Sequence, residues 1–335
     1  VAENQALREK IDRDYEMIGE SSAISKLKGQ IKIAAPSAGW VLITGENGTG
    51  KELVARAIHH QSNRSDRPFV EVNCAAIPED LIESELFGHE KGAFTGATAS
   101  RKGKFDQSHN GTLFLDEIGD MSLKTQAKIL RILQEQKFER VGGNRTIEVD
   151  VRVIAATNKD LEEEIKQGNF REDLFFRLNV LPFQVPPLRD RRDDVPMLVQ
   201  HFLTYFCGKE SRETKSIVPQ AMQALTSYNW PGNVRELKNL IERLVIMTPD
   251  LQINLSDLPP PIGKIDSRHG EDQIAITGPL PDSYREAKEL FEKRYLLEKL
   301  QKNNWNISRT AEEIGLERSN LHRKIKAYGL EPRQE

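Results

Sequence analysis

Apolar positions along the chain fall into two alternating patterns. Short apolar runs at Val41–Thr44, Gly111–Leu115 and Val151–Thr157 have the length of buried strands, and Pro68–Ala75 alternates as a strand does. Between them lie helix-spaced segments: Ile24, Leu27 and Ile31 behind a capping Ser21; Leu53, Val54 and Ile58; Ile82 to Phe87; and Leu123 to Leu133. The strands end on polar residues, at Asn73, at Asp116-Glu117 and at Asn158. Strands with polar carboxyl ends that alternate with helices predict a parallel α/β sheet with a site along that edge. The segment Phe138–Ile147, broken at Gly142-Gly143-Asn144, predicts a hairpin.

The pattern changes at Pro186–Asp194, which marks a boundary. Residues 195–255 read as a small all-helical bundle containing a tight turn into a helix, Asn229 to Leu237. From 256 to 282, Pro259-Pro260-Pro261, Gly263, Gly270 and Pro279 replace apolar periodicity and predict a flexible linker. Ser283 and Glu286 have capping-box spacing and open a helix through Ala287, Phe291, Leu296, Leu297 and Leu300. A second helix pair follows. Ala311 sits where two helices touch, Gly315 sits at the turn, and Ile314, Leu316 and Leu321 face the core, which is helix-turn-helix spacing. The expected domains are a 1–17 linker helix, an 18–190 α/β subdomain, a 191–258 helical lid, a 259–282 linker and a 283–335 helix-turn-helix. Residues 1–17 fit the end of a coiled coil or a solvated arm equally well.

Three features add chemistry. Gly45-Glu46-Asn47-Gly48-Thr49-Gly50-Lys51 joins a strand to a helix and reads as a phosphate-binding loop. Its glycines let backbone N–H groups cradle phosphates, and Lys51 reaches them as a point charge. Glu52 stands where a magnesium-binding hydroxyl is usual. Downstream, Asp116 is placed to hold Mg²⁺, directly or through water, and Glu117 to polarise an attacking water. Arg171 and Arg177 are candidates to offer charge to a γ-phosphate, and Arg235 begins a helix from which it reaches back to one. Gly92-Ala93-Phe94-Thr95-Gly96-Ala97 sets one exposed aromatic between glycines inside an otherwise helical stretch. Residues 318–326 carry Arg318, Arg323, Lys324 and Lys326 with no acid, suiting the second helix to DNA.

Composition narrows the picture little. The net charge of −3 does not point to nucleic acid, and the charge is local instead. Two cysteines, Cys74 and Cys207, fit a reducing compartment. No apolar run is long enough to span a membrane, no signal-peptide pattern opens the chain, and no His or Cys spacing suits zinc. A soluble cytoplasmic protein is expected.

Several of these stretches together carry a specific resemblance. Gly45–Glu52, Glu85-Leu-Phe-Gly-His-Glu90, Gly92–Ala97, Gly111–Glu117 and Trp230-Pro-Gly-Asn-Val-Arg-Glu236 resemble the sigma-54-dependent transcriptional activators, bacterial enhancer-binding proteins typified by the nitrogen regulators. The Gly92–Ala97 hexapeptide is the most specific of them. The resemblance runs from about Ile18 to Leu258, and the C-terminal segment resembles the family's Fis-type helix-turn-helix.

The resemblance implies an AAA+ ATPase that uses ATP and Mg²⁺ and assembles as a hexameric or heptameric ring. It also implies a DNA-binding domain that dimerises on double-stranded enhancer DNA, with sigma-54 RNA polymerase holoenzyme as partner. Glutamate is common at the position of Glu52. Ile18, Gly19, the loop 45–51, Glu52, Leu53 and Arg235 would hold nucleotide. Asn73 resembles the residue that restrains the catalytic glutamate, Asn158 the first sensor and Arg235 the second. Arg171 and Arg177 resemble arginine fingers. Gly92–Ala97, with its tip at Phe94 and Thr95, resembles the sigma-54 grip, and the hairpin near Gly142-Gly143 resembles a supporting loop. Arg318, Ser319, Asn320, His322, Arg323 and Lys324 would meet DNA. The family often carries an N-terminal receiver domain with a phosphorylatable aspartate; the residues before Ile18 leave no room for one, so either the chain is cut in the linker of a two-component response regulator or regulation comes from elsewhere. Two rival readings are an AAA+ motor working on DNA or unfolded protein, and a repressor using the fold as a scaffold. The hexapeptide beside a DNA module argues against the first, and Glu117 with the arginines argues against the second.

Overall fold

A computed structural model describes residues 17–262 and most of 292–330. The expectations for residues 1–16, the linker beyond 262, the Ser283–Glu286 cap, Ala287 and Phe291 lie outside the described residues.

The first unit is built on a five-stranded parallel sheet. Helix α1 (Ser22–Ala34) is capped by Ser21, whose hydroxyl accepts from the Ile24 N–H. It precedes β1 (Val41–Thr44), which leads into α2 (Lys51–His60). Then come β2 (Phe69–Asn73), α3 (Glu79–Phe87), the short α4 (Lys104–Gln107) and β3 (Thr112–Asp116). Helix α5 (Leu123–Glu135) leads to the antiparallel hairpin β4 (Lys137–Glu139) and β5 (Thr146–Glu148). The subdomain closes with β6 (Arg152–Thr157), α6 (Leu161–Lys166), α7 (Glu172–Leu178) and β7 (Leu181–Gln184).

The strand order is β2-β3-β6-β1-β7. Successive residues of β3 show why the strands read as unbroken apolar runs. Leu113 and Leu115 join the core on the side of α3, α5 and α7, while Phe114 joins the core on the side of α1 and α2. A parallel sheet covered on both faces has no solvent side to encode.

Register fixes the chemistry. Thr44 pairs with Thr157, and Asn73 pairs with Asp116. The phosphate loop, Asn73, Asp116-Glu117 and Asn158 therefore emerge along one carboxyl edge.

Under the sheet's other end, the buried His59 faces the Thr112 hydroxyl across 2.9 Å. Burial, helped by neighbouring His60, pushes its pKa down from 6.5 to about 4. The folded chain keeps this ring neutral where the unfolded chain protonates it. Its contribution to stability is thus complete above about pH 6.5 and is lost as the pH falls toward 4, on the order of 3 kcal/mol in all. Urea titrations between pH 7.5 and 4.5 should show this slope, and His59→Gln should remove that part of it.

Beyond β7 lie α8 (Val195–Lys209), α9 (Pro219–Ser227) and α10 (Asn233–Met247), packed around Trp230. The fully buried indole donates from Nε1 to the Leu225 carbonyl at 2.8 Å. This lid is not purely helical. Ser216–Ile217 (β8) and Gln252–Ile253 (β9) pair in parallel, too short a ladder to leave a periodic trace in the sequence.

Residues 266–335 form a second unit. Helix α11 (Ile307–Glu313), a turn with Gly315 at φ +66° and α12 (Arg318–Tyr328) close over Leu296, Leu300, Ala311 and Leu321. Leu316, expected in this core, is only half-buried, although its N–H donates to the Ala311 carbonyl at 3.0 Å.

Candidate functional site

The phosphate loop leaves β1 in the parallel sheet, and its residues line a cleft of about 650 Å³ between the α/β subdomain and the lid. Ile18, Asn47 to Leu53, Asp116, Glu117, Arg191 and Arg235 line it. Lys51 is buried, with its amine donating to the Gly45 carbonyl at 3.0 Å and lying 3.6 Å from the Glu117 carboxylate. Glu117 also accepts from the Asn158 N–H at 3.3 Å. Its backbone is left-handed, φ +53°. For a glutamate this costs on the order of 1–3 kcal/mol, a strain characteristic of functional positions.

Burial and the adjacent Glu117 raise the Asp116 pKa, while Lys51 opposes the shift. Two adjoining carboxylates with one ammonium leave room for further positive charge. Among the described residues no cluster of three or more His, Cys, Asp or Glu could hold a metal alone. A divalent ion therefore fits here only with oxygens brought by a phosphate ligand, the usual habit of magnesium. Glu52 is paired elsewhere, although its charge adds to the rise at Asp116. Its carboxylate accepts from Arg56 at 2.7 Å, and Arg56 also holds Glu71 at 2.5 Å.

The remaining expected residues divide. Gly19 does not line the cleft, and its Cα packs against the Asp194 carboxylate, which accepts from the Glu20 and Ser21 N–H groups at 2.8 Å. Asn73 stands opposite Asp116, but its side-chain oxygen accepts from the Ala76 N–H at 3.0 Å. Arg171 forms a two-pronged pair with Asp173, at 3.0 and 2.6 Å. Arg177 lies over the Trp40 ring at 4.2 Å and donates to the Leu133 carbonyl. Trp40 immediately precedes β1 and the phosphate loop follows it, so Arg177 stands at the opposite end of that strand from Lys51.

Four further residues shape the site: Arg189, Arg191 and Asp194 carry no signal in motif spacing, and Asn233 stands in the Trp230–Glu236 motif without a role assigned to it. Arg189 grips Glu46 with two nitrogens, at 2.8 and 2.5 Å. Arg191, nearly buried, donates to the Thr49 carbonyl at 2.8 Å. Asn233, fully buried with φ +52°, donates to Glu46 and to the Asn47 carbonyl, both at 3.1 Å, while accepting from the Leu188 N–H. Asp194 pins the chain entering α1. Three of these lie in 186–194, which reads in sequence as a boundary and no more. A charge argument could have found Arg189, since an acid inside a phosphate loop needs a counter-charge.

Residues 88–101 form a run of turns, not the helical surround expected. Gly92 and Gly96 have φ of +82° and +107°, which helices do not accept. Phe94 is 41% exposed, with its ring edge-on to His89 at 5.0 Å. At the base, His89 and Arg101 exchange backbone hydrogen bonds of 3.0 and 2.9 Å. The Glu90 N–H donates to Val141 and the Val141 N–H to Gly88, each at 3.0 Å, so the segment is stitched to the hairpin.

In the second unit Arg318, Ser319, His322 and Arg323 are exposed along α12, and Asn320 accepts from Arg323 at 3.0 Å. Lys324 differs, being paired within the unit to Glu292, which also accepts from the Tyr328 hydroxyl at 2.6 Å. The basic face is thus narrower than the sequence count implied.

Residues 17–184 match the sigma-54 interaction domain, 189–274 the AAA+ ATPase lid domain, and 288–328 the Fis family of bacterial regulatory proteins. The chain is 52% identical over 305 residues to regulatory protein AtoC of Escherichia coli K12, covering 91% of this chain and 66% of that protein. It is 48% identical over 314 residues to transcriptional regulatory protein ZraR of Salmonella typhimurium, covering 93% and 68%. Among solved structures, NtrX from Brucella abortus in complex with ATP superposes with a TM-score of 0.71 at 44% identity, covering 97% of this chain and 73% of that one. NtrX from the same organism has also been solved with ADP. The chain spans about two thirds of the length of these curated relatives. An α/β subdomain with a phosphate loop, a helical lid and a Fis-type helix-turn-helix thus occur in one chain and in this order, and the chain belongs to the sigma-54-dependent transcriptional activators.

Proposed function

We propose that this chain is the ATP-hydrolysing and DNA-binding part of an activator that works in the cytoplasm as a ring. In that ring, nucleotide turnover would drive the Phe94 loop against sigma-54 in a closed promoter complex. The observation that carries this reading is the meeting of Lys51, Asp116 and Glu117 at one sheet edge in a chain that also presents Phe94 to solvent. Exposing an aromatic ring at a glycine-flanked tip has no folding benefit, so a partner is the simplest explanation.

In this mechanism the loop N–H groups and Lys51 bind the triphosphate. Asp116 would hold Mg²⁺, directly or through water, and the ion would supply charge neutralisation at the phosphates. Glu117 takes the proton of the attacking water, with the Asn158 N–H steadying its carboxylate and Lys51 near enough to bias it. Asn73, one strand away, would restrain Glu117 after giving up its bond to Ala76. Arg235 reaches the phosphates from the lid. Arg171 and Arg177 do not line their own cleft, and a finger role for them therefore requires a neighbouring subunit. The finger role and the proposed hexameric or heptameric ring therefore stand or fall together.

The C-terminal module is proposed to dimerise and to read enhancer DNA through α12. Replacing Arg318 or Arg323 with Ala should weaken DNA binding across sequences and lower the salt slope by about one each. Lys324→Ala should instead loosen the module, since its ammonium is engaged with Glu292. Fluorescence anisotropy at several salt concentrations checks both.

The decisive test of the whole reading is binding to purified sigma-54 with ADP, with ATP and with a transition-state phosphate analogue. Analogue-dependent capture is expected. Capture that ignores nucleotide, or robust unwinding of DNA without sigma factor, overturns the reading.

A further inference from the structure

The outer side of the phosphate loop is held by the lid. Four consecutive loop residues, 46 to 49, each contact it. Arg189 and Asn233 take the Glu46 carboxylate, Asn233 takes the Asn47 carbonyl, and the Arg235 N–H reaches the Gly48 carbonyl at 3.3 Å. Arg191 takes the Thr49 carbonyl. Gly48, at φ +77°, packs so closely that a Cβ would stand 2.4 Å from the Gly232 carbonyl oxygen. A lid that swings must therefore either break these bonds or drag the loop with it.

Glu46 is the informative member. A carboxylate inside a loop that receives a triphosphate opposes its own ligand. Two nitrogens from Arg189 and one from Asn233 cover it, and its pKa falls to about 2, first through Arg189 and then Asn233. Asn233 cannot turn away, because its oxygen is committed to the Leu188 N–H and its backbone is left-handed.

We propose that Glu46, Arg189 and Asn233 form a latch of positioning residues through which lid placement sets the phosphate loop's charge and shape. With the latch made, the Glu46 charge is masked and the loop presents its N–H groups. With the lid displaced, the uncovered acid within the loop adds negative charge next to the phosphate site and weakens nucleotide binding. This deepens the proposed function, since the latch would act on binding and release at that same site.

The test separates masking of charge from plain scaffolding. ADP and ATP affinities are measured by calorimetry, alongside turnover and thermal melting, for wild type, Arg189→Ala and Arg189→Ala/Glu46→Gln. The latch predicts that Arg189→Ala weakens both nucleotides about tenfold, the scale of one uncompensated charge in a half-exposed site. It should raise KM more than it lowers kcat and shift the melting temperature little, because so exposed a pair adds little stability. Adding Glu46→Gln should recover most of the affinity, although it restores no contact to Arg189. Unchanged affinity in Arg189→Ala, or a double variant as weak as the single one, overturns the latch. Wild type that binds ADP but never hydrolyses ATP overturns the proposed function and leaves the latch readable from the binding data.

Discussion

Glu117→Gln should bind ATP and fail to turn it over, with kcat falling by about 10²–10⁴, the range for removing a general base. The carboxylate sits 3.6 Å from Lys51, takes the Asn158 N–H at 3.3 Å and rides on a left-handed residue. That strain is maintained for aim. Glutamine keeps the shape and the hydrogen bond but cannot accept the water's proton. Single-turnover assays with radiolabelled ATP, read beside equilibrium binding, separate lost chemistry from lost affinity. Retained turnover would remove Glu117 from the mechanism. Because glutamine relieves the like charge beside Asp116, whose pKa Glu117 helps to raise, ATP affinity should hold or improve.

Thr95→Ala should produce the opposite split, with ATP hydrolysis kept and sigma-54 binding and promoter opening lost. Thr95 lies on the exposed tip beside Phe94, and no residue of this loop lines the nucleotide cleft. Removing a hydroxyl and a methyl from such a tip leaves the fold intact. What it removes is complementarity to a partner, and a small central contact in an interface can be worth about 2 kcal/mol or more. ATPase assays paired with native-gel capture of sigma-54 and open-complex formation measure both halves. Full activation by the variant would sink the assignment of the loop.

The apolar runs and their polar ends are enough to say which sheet edge carries the chemistry, because the strand period and parallel pairing leave little freedom. The phosphate loop, Asp116, Glu117 and the exposed Phe94 are likewise legible in the spacing of residues along the chain. The roles of Arg189, Arg191 and Asn233 are not, even though Asn233 stands in the Trp230–Glu236 motif, because the loop carbonyls and the one acid they hold lie more than 140 residues away in the chain. Nor does a single chain's pattern reveal that Lys324 is held by Glu292, since charge counted along a helix takes no account of neighbouring elements. The turns at 88–101 are hidden for the opposite reason. Local composition suggests helix, and glycines with positive φ override it.

The stitching at His89 has a kinetic corollary. This residue is bonded to Arg101 on one side, and its neighbours Gly88 and Glu90 are bonded to Val141 on the other. Amide deuterium uptake should therefore show residues 88–101 and the hairpin opening at one shared rate, as a single cooperative unit. A stimulus arriving at either strand would then reach the aromatic tip with no intervening slack.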